Sequence, residues 1–188
     1  MNARKPIFLD RDGVLNVDLT PYVSSAEDLE LLPGTVEAIR RLDAAGFDAY
    51  VISNQQGVSL GLTPPEALDA IDEKIQSALQ PYGVRIRRFY YCTSLDSACD
   101  PCRKPAPGMI YRARDEFGLD VDGAFLVGDK GTDVECARRA GCRPLLVLTG
   151  VARDREWEAW AHKPEKVFPD LLAAVEYVIA ASSGAAVS

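Results

Sequence analysis

Two carboxylates two residues apart, Asp10 and Asp12, follow directly on the apolar run Ile7-Phe8-Leu9 and precede Gly13. Along an extended chain, residues i and i+2 point the same way, so both can enter one pocket while Arg11 points elsewhere. Like charges that close need a cation or a proton between them, and oxygen donors suit a hard divalent metal. Three further polar clusters lie along the chain: Ser53-Asn54-Gln55, Arg103-Lys104-Pro105, and Gly128-Asp129-Lys130-Gly131-Thr132-Asp133. Carboxylates, a hydroxyl, amides and a few cations are what phosphoryl transfer uses, because its catalysis is mostly positioning and charge neutralisation. A divalent ion between Asp10 and Asp129 would let a carboxylate approach an anionic phosphate. Lys104 and the Ser53 hydroxyl would take the remaining phosphoryl oxygens. One carboxylate can attack phosphorus, and the other can protonate the leaving oxygen and later activate water.

Stepping out to the elements, Ile7–Leu9, 47–53, 85–92, 123–127 and 144–148 read as five apolar, β-branched strands. Helical spacing of apolar residues runs from Thr35 to a stop at Gly46, from an N-cap at Thr63 to about Pro81, from Pro107 to Phe117, from Asp133 to Ala140, and from Leu171 to Ala181. A short helix carrying Trp157 and Trp160 is expected within Arg153–Lys163. Alternation of strands and helices predicts an α/β fold, a three-layer, doubly wound parallel sheet of Rossmann-like type. Ligands of such sheets bind beyond the carboxyl ends of the strands, where Asp10, Ser53, Cys92 and Asp129 all fall. One domain over 1–181 is expected, followed by a disordered tail over 182–188. The spans between the polar clusters are too short for a substantial cap domain.

The 188 residues, 47% apolar and 26% charged, suit a globular domain with a full core. The net charge of −7 and the lack of a Lys/Arg run argue against a nucleic-acid partner. No apolar run approaches ~18 residues, so no spanning helix and no membrane partner are expected. The first residues lack the apolar centre of a signal peptide, so a cytoplasmic location is expected. The five cysteines are therefore expected as free thiols or metal ligands rather than disulfides. Cys136 and Cys142 read as small apolar packing residues, and Trp157 and Trp160 as cover for the edge of the core.

The four clusters, in this order over nearly the whole chain, resemble the haloacid dehalogenase superfamily of aspartate-dependent phosphatases. The resemblance implies that Asp10 is the nucleophile and Asp12 the general acid/base, and that Ser53 and Lys104 stabilise the phosphoryl group. It implies Mg2+ held by Asp10, the main-chain carbonyl of Asp12 and Asp129, with Asp133 acting through water. Finer runs, FLDRDGVLNVD, SNQQGV, YYC, CRKPAPGM and VGDK, are similar to the subfamily of heptose bisphosphate and histidinol-phosphate phosphatases. That likeness implies a small phosphorylated sugar as substrate, with Asp18, Tyr22, Asn54, Gln55, Gln56, Arg103 and Lys130 as its contacts. An arginine fork at Arg103 suits a phosphate. The subfamily holds a structural zinc in a Cys-x-His…Cys-x-Cys loop. Here Ser94 stands where the histidine belongs, which leaves Cys92, Cys99 and Cys102 as candidate Zn2+ ligands, with Asp96, Asp100 or water as the fourth. Another metabolite phosphatase, or a phosphate-binding protein without chemistry, are the alternatives. A monomer or small homo-oligomer is expected.

Overall fold

The computed structural model describes residues 4–152 and 155–183. Six parallel strands form one sheet in the order β3-β2-β1-β4-β5-β6. They are β1 (Lys5–Leu9), β2 (Phe47–Asn54), β3 (Arg88–Cys92), β4 (Phe125–Gly128), β5 (Arg143–Val147) and β6 (Lys166–Phe168). Parallel neighbours need crossover connections; the helices α1 (Thr35–Ala44), α2 (Pro65–Leu79), α3 (Gly108–Phe117) and α4 (Gly131–Arg139) supply the first four, and α5 (Leu171–Ser182) follows β6. The chain winds outward through β2 and β3, returns to the other side of β1 at β4, and winds outward again.

Side-chain alternation along the strands sorts the core into two layers. Ile7, Leu9, Val51, Phe125 and Val127 face α1, α2 and α5, and meet Ile39, Leu42, Ile71, Ile75, Val175 and Val178. Phe8, Tyr50, Ile52 and Leu126 face α3 and α4, and meet Met109, Ile110, Ala113, Cys136 and Ala137. Each fully buried Val, Leu, Ile, Phe or Met side chain among them contributes about 1.5–3 kcal/mol. Both faces of the sheet are covered, which is why its strands read as apolar runs rather than alternating ones.

The structure changes several boundaries. A sixth strand, β6, was not expected; it is three residues long and pairs only with β5. Arg85, Ile86 and Arg87 precede β3 rather than belonging to it. Thr63 is buried and does not cap α2, whose N-cap is Pro64. Of the expected Trp helix only a 3-10 turn over Glu156–Glu158 forms, while Arg153 and Asp154 lie outside the described residues. Both tryptophans rest against Val134, Leu146 and Ala152 as packing residues. Ser182 closes α5 instead of opening a tail, and residues 184–188 lie outside the described part. Loops, not a cap domain, cover the strand ends among the described residues: 10–34 after β1 and 93–107 after β3. No helix among them is long and apolar enough to cross a membrane.

Candidate active site

The order of the sheet reverses between β1 and β4, the point at which such sheets bind ligands. Leu9 pairs with Val127 across these two strands, so Asp10 and Asp129 leave the sheet side by side. The Asp10 amide extends the ladder to the Val127 carbonyl at 2.9 Å. Gly13, at φ +81°, turns the chain over Asp129; a Cβ there would lie 2.6 Å from Asp129 Oδ2. Gly150 crowds the same carboxylate from the other side, with a would-be Cβ at 2.0 Å. The Val151 amide donates to Asp129 Oδ2 at 2.7 Å. Asp133 lies in the first turn of α4 and reaches back to accept from the Lys130 amide at 3.1 Å.

Asp10, Asp129 and Asp133 are all buried, and each offers an oxygen within 4.8 Å of the other two. Lys104, 3% exposed, bridges two of them, with Nζ 2.9 Å from Asp10 Oδ1 and 2.6 Å from Asp133 Oδ1. It also donates to the Ile52 carbonyl at 3.0 Å. Burial acts to raise Asp10, but Lys104 and Lys130 outweigh it and hold the carboxyl below its ordinary range. Burial, then repulsion from Asp10, pushes Asp129 up to about 8, and burial also raises Asp133 against the pull of Lys104. Three buried carboxylates share the bridging Lys104 and the nearby Lys130, and are thus short of positive charge. Asp129 Oδ1 is buried and accepts no hydrogen bond, with Lys130 Nζ 3.8 Å away. Buried oxygen donors short of a partner fit a hard divalent cation, so the residues present fit Mg2+.

Gln55 links Ser53 and Asp12: its Nε2 donates to Ser53 Oγ at 2.9 Å and to Asp12 Oδ2 at 2.7 Å. Arg11 does not point elsewhere. Its long side chain curls back, and Nε and Nη2 reach Asp12 Oδ1 at 3.1 Å each. Asn16, four residues on, adds a bond from Nδ2 to Asp12 Oδ1 at 2.9 Å. The sequence pattern assigns neither residue a role at the site. Strand alternation is a poor guide past Leu9, where the ladder ends, and Asn16 carried no signal beyond its spacing.

The expected substrate contacts other than Gln55 fall into three sets. Asn54 turns both ends of its amide to the Lys104 backbone, at 2.9 and 3.0 Å, and so holds that lysine rather than facing a ligand. Tyr22, Gln56 and Arg103 form a line on the rim: Gln56 Nε2 donates to the Tyr22 hydroxyl at 2.9 Å, and Arg103 Nη2 donates to Gln56 Oε1 at 3.2 Å. Lys130 and Asp18 meet at 3.2 Å on the rim beside Asp129.

The cysteines depart from expectation. Cys92, at the end of β3, is joined to Cys102 in a disulfide. Cys99 is exposed and does not converge with them. The donors that gather are Cys92, Cys102 and Asp100; the Asp100 carboxylate already accepts from the Cys102 amide and the Ser94 hydroxyl, while Asp96 pairs with Arg103. A closed zinc site takes four ligands, with its cysteines as thiolates. Two sulfurs bonded to each other and one engaged carboxylate do not fit that ion. The turn stabilised by Asp100 is what brings Cys102 back onto β3. Cys136 and Cys142 are buried as expected, and burial pushes both thiols up to about 12.

Comparison with known proteins agrees with this geometry. The HAD-hydrolase-like family model matches residues 101–174, and relatives cover nearly the entire chain. The protein belongs to the haloacid dehalogenase-like phosphatases. Within them it is similar to the D-glycero-beta-D-manno-heptose-1,7-bisphosphate 7-phosphatase of Pseudomonas putida, 34% identical over 93% of this chain and 99% of that one. The D-glycero-D-manno-heptose-1,7-bisphosphate 7-phosphatase of Thermosynechococcus vestitus is 36% identical over 93% of this chain and 95% of its own. The crystal structure of D,D-heptose 1,7-bisphosphate phosphatase from Bordetella bronchiseptica, complexed with magnesium and phosphate, superposes with a TM-score of 0.85. It is 36% identical and covers 93% of this chain and 98% of that one.

Proposed function

We propose that this protein hydrolyses the 7-phosphate of D-glycero-D-manno-heptose 1,7-bisphosphate in a magnesium-dependent reaction through an aspartyl phosphate on Asp10. The observation that carries the chemistry is the buried cluster in which Lys104 bridges Asp10 and Asp133 beside the under-compensated Asp129. The substrate rests on the near full-length likeness to enzymes named for that sugar, and on the Tyr22–Gln56–Arg103 line at the rim.

Asp10, the Asp12 main-chain carbonyl and Asp129 would hold Mg2+, with Asp133 acting through water. Bound there, the ion would neutralise charge so that a carboxylate can meet an anionic phosphoryl group. Lys104 and the Ser53 hydroxyl orient the phosphoryl oxygens. An Asp10 carboxylate oxygen attacks phosphorus as the bond to the sugar oxygen breaks, and Asp12 gives that oxygen its proton. Water then attacks the aspartyl phosphate and passes a proton to Asp12. Phosphate departs, and the Asp10 carboxylate is restored. Arg103 binds the phosphate that stays on the sugar. We place the reaction in the cytoplasm, where charged sugar phosphates are retained.

The test is phosphate release across a panel of sugar bisphosphates, sugar monophosphates and histidinol phosphate. The heptose bisphosphate is expected to have the highest kcat/KM, with turnover abolished by a chelator and by Asp10→Asn. An active Asp10→Asn enzyme would overturn the mechanism; a higher kcat/KM for histidinol phosphate would overturn the substrate.

A further inference from the structure

Arg11 is fully buried, with no exposure of its side chain, whereas its partner Asp12 keeps 14% of its side chain exposed. Taking a guanidinium out of water costs several kcal/mol unless its surroundings are built for it. Most of its donors are met here, Nη1 alone having no hydrogen-bond partner among the described residues. Nε and Nη2 grip Asp12 with a fork, Nη2 also reaching Oδ2 at 3.1 Å. The guanidinium lies 5.6 Å from the centre of the Tyr91 ring. Tyr91, on β3, donates its hydroxyl to the carboxylate of Asp72 on α2. A line of contacts thus runs from Asp12 through Arg11 and Tyr91 to Asp72, crossing from the site to a helix on the face of the sheet.

We propose that Arg11 is a positioning residue for the acid/base step, with Tyr91 and Asp72 fixing the guanidinium from behind. This rests on the reading of Asp12 as general acid and base. Asp12 must serve two partners in turn, the departing sugar oxygen and then the incoming water, from one place. Asn16 and Gln55 each give Asp12 one hydrogen bond, and single bonds leave a carboxylate some freedom to pivot. The planar fork removes that freedom in a way a lysine's single point charge does not. A buried ion pair that served only the stability of the turn would affect all substrates alike. A positioning role is selective, because it matters in proportion to the need of the leaving group for a proton.

The test therefore compares leaving groups in the full-length protein with Mg2+. p-Nitrophenyl phosphate releases a phenolate that needs little protonation, so its pre-steady-state burst reports attack by Asp10 with little demand on Asp12. A sugar phosphate releases an alkoxide that needs the proton. For Arg11→Lys and Arg11→Met, kcat on the sugar phosphate is expected to fall about 10- to 100-fold, within the range of acid–base catalysis. The nitrophenolate burst should slow by no more than about threefold, and KM should stay close to wild type. Tyr91→Phe and Asp72→Ala should show the same selectivity at about 3- to 10-fold, and they carry the test if the Arg11 variants do not fold. Equal losses on both substrates, or unchanged sugar-phosphate turnover, would overturn the proposal. Failure of the underlying reading looks different: Asp12→Asn would then retain sugar-phosphate turnover, or Asp10→Asn would retain the burst.

Discussion

Lys104 meets Asp10 and Asp133 at once, and its position is set from its own backbone. Asn54, the last residue of β2, donates to the Lys104 carbonyl and accepts from its amide. An ammonium on a four-carbon stem has little directional preference of its own, so a fixed backbone is what aims it. Asn54→Ala should leave the charges in place but loosen that aim. A fall in kcat of about 10-fold is expected, since small misplacements of a positioned group are costly, together with a modest loss of thermal stability; wild-type kcat would show that Nζ is held by its carboxylates alone. Asp72 supplies a second prediction. Burial pushes its carboxyl up to about 7, against the pull of Tyr91 and Arg11. The folded state therefore holds a proton on Asp72 at pH values where the unfolded chain has released it. By linkage, stability contributed at this position falls as pH rises from about 4 to about 7 and is level above that. Asp72→Asn removes the titration and keeps an acceptor for Tyr91. Denaturant melts at pH 5 and pH 8 should show the variant gaining on wild type at the higher pH by about 1–2 kcal/mol, once partial solvent contact is allowed for. An identical difference at both pH values would refute the assignment.

Among the elements, strands buried on both faces were legible because continuous apolar runs bounded by turn residues leave few other readings. β6 was not, because Lys166-Val167-Phe168 is short, and its place is set by pairing with β5 rather than by its own pattern. The carboxylates, Ser53 and Lys104 were legible because each stands at or just past the end of such a run. The clamp on Asp12 was hidden, since reach, not spacing, brings Arg11 back. The cysteine loop was misread for a related reason: sequence counts thiols but does not say which will meet. Cys92 and Cys102 are separated by 10 residues, and their bond ties the segment before Arg103 and Lys104 to the end of β3. Closing a loop of that length stabilises by about 2–3 kcal/mol in the chain-entropy account. In a reducing compartment such a pair opens readily. A dithiol reductant should lower Tm by several degrees, and Cys102→Ser should match the reduced protein and no longer respond. A melting curve indifferent to reductant would mean the bond contributes nothing to the fold.

At the scale of the whole molecule, an acidic protein must recruit a substrate more acidic still. The net charge is −7, and the long-range field therefore opposes a sugar bisphosphate rather than steering it. Attraction has to come from nearby cations, and among the described residues loops alone stand over the strand ends, with no cap domain to bring further ones down on the ligand. At the rim these are Lys130, paired with Asp18, and Arg103, held by the Ser94 carbonyl at 3.0 Å, by Gln56 and by Asp96. Asp96 is 88% exposed, so that pair is weak, and the guanidinium can exchange it for a phosphate without leaving a buried charge behind. The exchange matters only for a substrate whose second phosphate reaches the rim. Arg103→Ala should therefore cut kcat/KM for the heptose bisphosphate about 10- to 100-fold, the worth of one charge-assisted contact. The loss should fall mainly on KM, while a heptose 7-monophosphate, lacking that second group, should be hydrolysed nearly as before. Arg103→Lys should restore only part of the loss, because one ammonium does not reproduce the fork. Equal losses for the two sugars would place Arg103 at the transferring phosphate instead, and the distal phosphate would then have to be read by Lys130.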